Sequence, residues 1–170
     1  MRAQFPRGWL WVGDDSDDLT PEWTRAAYPF EHVHTDILGD RTTQLVPRRA
    51  VVQHAVQSGS GGSYFVQLGA SLRPDSPDEL HLEVAEASGQ SGLDRVLVTA
   101  VREGARAGAA RCTVAGRLRL DRALVHLVDC KPARYHQAAQ LLVRALAHPD
   151  LLSLAAPELA ALAASLWQDA

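Results

Sequence analysis

The sequence predicts an α/β fold, a two-layer sandwich of the α+β kind, and three observations lead to it. Apolar residues alternate with polar ones in four separate segments. They recur at helical spacing in two others, and a third helical stripe closes the chain. The two periods appear in the order β-β-β-α-β-α, which places helices on one face of a four-stranded sheet, with an extra C-terminal helix.

Residues 1–43 are expected to form an irregular, Trp-rich extension. They hold Trp9, Trp11 and Trp23, with Phe5, Tyr28 and Phe30 nearby, and these aromatics are expected to pin the segment onto the main domain. Thr20-Pro21-Glu22 reads as an N-cap followed by proline at the first helical position, so a short helix to about Ala27 is predicted. The domain proper spans 44–148. Val52, His54 and Val56 share one face of its first strand, and Gly59-Ser60-Gly61-Gly62 marks a hairpin tip. Tyr64, Val66, Leu68, Ala70 and Leu72 give the second strand, and Leu80, Leu82 and Val84 the third.

Leu93, Val96, Leu97, Ala100, Val101 and Gly104 then follow a helical stripe, with Ser91 as candidate N-cap. Gly104 and Gly108 each weaken a helix by ~1 kcal/mol against alanine, and small residues there let it lie close on the sheet. Leu118 and Leu120 alternate, the pattern kinks at Asp121-Arg122, and it resumes at Ala123, Val125 and Leu127, which reads as a long fourth strand with a bulge. Asp129–Arg134 is expected to be a polar loop. Helical spacing returns from Gln137 to Ala147 and breaks at Pro149. Residues 149–170 carry the final helix, with Leu159, Leu162, Ala163, Leu166 and Trp167 on one stripe.

Composition narrows the function classes. The chain has 170 residues, 46% hydrophobic and 22% charged, which fits one domain with appendages. No apolar run approaches the ~20 residues of a membrane span, and Met1–Val12 lacks a signal-peptide core, so a cytoplasmic protein off the membrane is expected. Cys112 and Cys130 make no C-x-x-C pattern and read as reduced, half-buried thiols. The net charge of −3 is uneven: −4 over 1–43, +3 over 44–135 and −2 over 136–170. A mildly basic middle between acidic ends permits RNA contact without demanding it.

No phosphate-binding P-loop, dinucleotide fingerprint, H-E-x-x-H or G-x-S-x-G occurs, so the sequence reads as non-enzymatic, with no cofactor and no metal. His32, His34 and Asp36 have spacing that a metal can use, but an exposed polar edge accounts for them. The acidic run Asp14-Asp15-Ser16-Asp17-Asp18 lacks ordered ligand spacing and reads as a solvated loop. His54 and His126 lie in strands and are expected to be buried and hydrogen-bonded. Tyr135-His136 has the composition of an acid/base pair but no partner nucleophile. Two loops remain. Residues 57–63 are rich in Gly and Ser and can approach a phosphate backbone closely, while Lys131 and Arg134, with Tyr135 and His136, combine charge with stackable rings.

Three ordered motifs resemble a known family. Gln57-Ser58-Gly59-Ser60-Gly61-Gly62-Ser63-Tyr64 is similar to the Q-S-G-G-R-G-Q-Y loop in domain IV of elongation factor G. Val98-Thr99-Ala100-Val101-Arg102-Glu103-Gly104-Ala105-Arg106 resembles that domain's helix, and Val125-His126-Leu127-Val128-Asp129 resembles its V-x-L-x-D strand end. The resemblance covers about 100 residues, Gln44 to Ala147. It implies the fold of the second domain of ribosomal protein S5, with a left-handed β-α-β crossover. It also implies two tip loops that contact messenger and transfer RNA at the decoding centre of the small ribosomal subunit. Here those tips are Ser58, Gly59, Ser60, Gly61, Gly62, Ser63 and Tyr64 on one side, and Lys131, Arg134, Tyr135 and His136 on the other.

The chain departs from the family pattern in places. Gly61 stands where the family has arginine and Ser63 where it has glutamine; the second loop reads Asp129-Cys130-Lys131-Pro132-Ala133-Arg134-Tyr135-His136-Gln137 in place of D-G-S-Y-H-x-V-D-S. Neither the GTPase domain nor domain V is found, so a stand-alone relative rather than a translocase is expected. The leading expectation is a ribosome- or RNA-associated, translation-factor-like domain. The alternative is a scaffold that has lost its tips and acts through protein–protein contacts, as a homodimer using the helix Ala156–Trp167, without binding RNA.

Overall fold

The fold is described from a computed structural model for residues 1–14, 32–57, 62–86, 93–125 and 130–170. The short helix expected near Thr20, the tip residues Ser58–Gly61, the candidate cap Ser91, and His126 lie outside the described residues.

The elements run β1 (Arg2–Phe5), β2 (Gly8–Asp14), β3 (His32–Leu38), β4 (Arg48–Val56), β5 (Tyr64–Arg73), β6 (Leu80–Glu86), α1 (Arg95–Ala109), β7 (Gly116–Leu124), α2 (Pro132–Leu146) and α3 (Ala156–Gln168). The fold is α+β, but the sheet has seven strands, not the expected four. Its order is β1-β2-β4-β5-β7-β6-β3, antiparallel except for the parallel pair β6–β7 joined through α1. The extra strands all come from the segment expected to be irregular: β1 and β2 extend the β4 edge, and β3 extends the β6 edge.

The helices form a second layer: α1 over β6, α2 over β4 and β5, α3 against β1 and β2. One face of every strand but β3 feeds the core between the layers: Ala3 and Phe5 from β1, Leu10 and Val12 from β2, Val52 from β4, Val66 and Leu68 from β5, Leu82 from β6 and Leu120 from β7. The bulge predicted in the fourth strand is present. The β5–β7 register shifts between Gly69 and Ala70, leaving Asp121 as the extra residue.

Local signals explain the helix ends. The Asp94 carboxylate accepts the Leu97 N–H at 2.9 Å, so Asp94 is the observed N-cap of α1. The Arg41 guanidinium donates to the carbonyls of Ala109 and Cys112 at its other end, where a cation complements the helix dipole. Gly104 and Gly108 let α1 approach α2, not the sheet: a Cβ on Gly104 would collide with the His136 carbonyl, and one on Gly108 would lie 2.9 Å from the Gln140 carbonyl oxygen. Val96, placed on the apolar stripe by its spacing, is 62% exposed. Among the described residues, no helix is long and apolar enough to cross a membrane.

Candidate nucleic-acid interface

The two stretches expected to form tips come together. The β4–β5 hairpin ends where Tyr64 opens β5, and α2 starts beside it. The Arg134 guanidinium carbon lies 4.6 Å from the centre of the Tyr64 ring, and the Lys131 ammonium lies 5.9 Å from it. Nearly seventy residues of chain separate these groups, so only the fold can place them together.

The helix starts earlier than its spacing suggests. Pro132 occupies the first turn of α2, so the loop expected to run to Arg134 gives way to helix five residues ahead of Gln137. Arg134 and His136 therefore project from helical turns. Lys131 is the cap residue but provides no capping side chain, and the first turn has no acidic residue. Two cations thus stand at the positive end of a helix, an arrangement that costs stability until an anion is present. Lys131, Arg134, His136 and Gln137 line an open groove of about 690 Å³, together with Ala100 and Glu103 of α1. Gly62 is exposed and Ser63 half-buried.

Two candidate residues are placed differently from expectation. Tyr135 is fully buried, and its hydroxyl donates to the Leu124 carbonyl at 2.9 Å. Burial raises its phenol well above the usual range, and its ring faces the core rather than any base. One turn of helix swings Tyr135 inward while Arg134 and His136 stay at the surface. Tyr64 is also buried, with 8% of its surface exposed, and acts as the floor beneath the cations rather than as an exposed stacking ring.

That floor continues inward. The Tyr64 hydroxyl lies 2.9 Å from Nδ1 of His54, and Nε2 of His54 lies 3.0 Å from the Pro6 carbonyl. A carbonyl only accepts, so Nε2 carries the proton and the neutral Nδ1 accepts from Tyr64. Burial lowers the His54 pKa to about 4, the Pro6 hydrogen bond opposes this, and the charges of Arg134 and Arg7 add to the lowering. The imidazole stacks with Tyr64 and with Trp167, whose ring centre is 4.1 Å away, and Phe5 packs against both His54 and Trp167. A second chain of bonds runs from Arg134 to Gln137 Oε1 at 2.7 Å and from Gln137 Nε2 to the Trp167 carbonyl at 2.6 Å. The tip therefore rests on residues from β1, β4, β5, α2 and α3.

Sequence reasoning anticipated a buried, hydrogen-bonded His54 but not its link to the tip. The sequence does supply a signal for that link, because His54 and Tyr64 flank one hairpin and share the core-facing parity of their strands. The other polar candidates are engaged within the chain. His34 Nε2 meets Glu86 at 2.6 Å, and Arg102 grips Asp36 through two hydrogen bonds of 2.9 and 3.2 Å. Among the described residues, no group of three or more His, Cys, Asp or Glu side chains is placed to hold a metal. Cys112 and Cys130 are free thiols, both half-buried.

The apolar stripe of α3 packs on the chain's own core. Leu159 and Ala163 are fully buried, Leu166 and Trp167 are 6% and 9% exposed, and Leu162 is half-buried. Compared with models of known protein families the chain matches none, and no curated protein matches it in sequence.

Proposed function

We propose that this protein is a non-enzymatic RNA-associated domain that meets the phosphate backbone of RNA, in the small ribosomal subunit, with the tip formed by Gly62, Ser63, Lys131, Arg134 and His136. The observation that carries this reading is the convergence of Lys131 and Arg134 over Tyr64 at the N-terminus of α2. Three further features support it. Cations on a helix N-terminus concentrate positive potential where backbone N–H groups already point outward. The glycine of the neighbouring hairpin removes side-chain bulk beside them. The order β4-β5-β6-α1-β7-α2 is the β-β-β-α-β-α order that the resemblance to elongation factor G domain IV implies.

Co-sedimentation of the whole chain with small ribosomal subunits tests the proposal. Two phosphate contacts reduce affinity about tenfold between roughly 50 and 200 mM salt, because each contact releases counterions. Pelleting is expected at low salt, with loss at high salt. The Lys131→Glu/Arg134→Glu double variant is expected to abolish pelleting while keeping the wild-type circular dichroism spectrum. Pelleting that ignores salt and the double variant, or no pelleting at low salt, sinks the reading.

A further inference from the structure

We propose that β3 is a self-association edge, pairing antiparallel with β3 of a second copy about a two-fold axis at Thr35. This goes beyond RNA contact and uses the opposite edge of the sheet from β1.

β3 is the outermost strand, and among the described residues no strand pairs with its outer side. Sheet edges are normally blunted by lysine, proline, a bulge, shortness or inward-pointing charge. The inward carboxylate of β3, Asp36, is already neutralised by Arg102 and Arg106 of its own chain. β3 has no lysine, proline or bulge: it is seven residues long and runs in unbroken register along β6 from His32↔Glu86 to Leu38↔Leu80. Val33 is 42% exposed and Ile37 59% exposed, both on the sheet face away from the helices. Among the described residues, the other large apolar side chains left exposed are Met1, Val46 and Val96.

The argument for a second copy is the strand's self-complementarity. With the axis at Thr35, every one of the seven residues finds a partner on the other copy. Val33 faces Ile37 of the other copy, twice by symmetry, so both exposed apolar side chains are covered. On the helix-side face, His34 sits across from Asp36 of the other copy, again twice. Apolar pairs directly across an antiparallel ladder stabilise it, and an imidazole across from a carboxylate offers it a hydrogen-bond donor. Paired residues share parity, so both helix layers stay on the same side of one continuous sheet. There is room for them: β6 and its copy are three strand spacings apart, about 14 Å, and packed helices need about 10 Å.

Sedimentation velocity of the full chain at about 1 to 100 µM spans the affinities of small interfaces. The mass is expected to rise with concentration from 18.4 kDa to twice that value. Val33→Lys/Ile37→Lys changes only exposed side chains and is expected to stay monomeric throughout, with an unchanged melting temperature. A cross-link fixes the register. In a Cys112→Ser/Cys130→Ser background, Thr35→Cys lies on the axis with Cα atoms about 5 Å apart and is expected to form a dimer disulfide on mild oxidation. Val33→Cys in the same background is about 14 Å from its own copy and is expected to form none. A chain that stays at 18.4 kDa, a dimer that survives the double lysine variant, or cross-linking at Val33 but not at Thr35 overturns the proposal.

Discussion

The neutral, buried His54 makes stability depend on acid in a way that can be isolated. Its pKa falls from 6.5 in an unfolded chain to about 4 in the fold. Between these values the unfolded chain binds the proton and the folded chain does not, so protonation favours unfolding. Stability is therefore complete above the unfolded value and is lost as pH falls from 6.5 toward 4. At about pH 4.5 the linkage amounts to roughly 2.5 kcal/mol. In a chain of this size that corresponds to a melting temperature lower by about 5–10 °C. Acid acts on more than one group of the chain, so the wild type alone does not isolate His54. His54→Gln keeps a donor for Pro6 and an acceptor for Tyr64 but does not titrate. The assay is urea unfolding of both proteins at about pH 7.5 and 4.5, with stability extrapolated to water. The variant is expected to be less stable at neutral pH, through lost ring packing, and to close about 2.5 kcal/mol of that gap in acid. A gap that stays constant with pH refutes the reasoning, because His54 would then be equally protonated in both states.

Four other substitutions probe the scaffold. Gly104→Ala gains about 1 kcal/mol of helix propensity but drives a methyl group into the His136 backbone, which no rotamer change relieves, so a net loss of about 1–2 kcal/mol is expected in thermal unfolding. Gly39→Ala, which meets nothing within 4 Å, is the control and is expected to stay within about 0.5 kcal/mol of wild type. Gln67 is 1% exposed, and among the described residues neither its amide nitrogen nor its oxygen finds a hydrogen-bond partner, so Gln67→Leu is expected to stabilise by about 1 kcal/mol in urea unfolding. Tyr135→Phe leaves the Leu124 carbonyl without its donor and is expected to cost about 1–2 kcal/mol, with salt-dependent RNA association unchanged because the ring is not at the surface.

The central strands were legible because they obey one rule: in β4, β5, β6 and β7 the apolar face is the buried face. In the first 43 residues β1 obeys it too, over only four residues, but β2 and β3 break it in two ways. In β2 both parities are hydrophobic, Trp9 and Trp11 on one face and Leu10 and Val12 on the other, so no alternation marks the strand. In β3 the pattern is inverted. His34 and Asp36 face the helices because Glu86, Arg102 and Arg106 neutralise them there, while Val33 and Ile37 point away and stay exposed. Periodicity reads burial from polarity, and a strand whose inward polar groups are paired defeats it. The glycines of α1 were misassigned for a related reason. Composition shows that small residues permit a close approach but does not identify what approaches, and here it is the backbone of α2. At the tip, charge was readable and orientation was not. Lys131, Arg134, Tyr135 and His136 are adjacent in sequence, and only the helical phase from Pro132 separates the surface cations from the buried ring.

The tip and the core form one system, and this constrains what a change in either can do. Arg134 is held by Gln137, Gln137 by the Trp167 carbonyl, and Trp167 stacks on His54, which bonds the Tyr64 beneath Arg134. The loop closes on itself through α2, α3, β4 and β5. Two cations at a helix N-terminus repel each other and the helix dipole, and flexible side chains would relieve this by moving apart. Arg134 is prevented from doing so by its bond to Gln137 and its seat on Tyr64. A group held near like charge at an energetic cost is prepared for an opposite charge, since ligand binding removes the penalty without a further ordering cost. Loosening the floor should therefore weaken anion binding without removing any cation. His54→Gln, which leaves Lys131 and Arg134 in place, is expected to lower low-salt association with RNA several-fold while leaving the number of released counterions, the slope against salt, unchanged. Lys131→Glu/Arg134→Glu changes the slope itself. If His54→Gln leaves affinity unchanged, the floor serves stability alone and the tip is assembled by α2 without it.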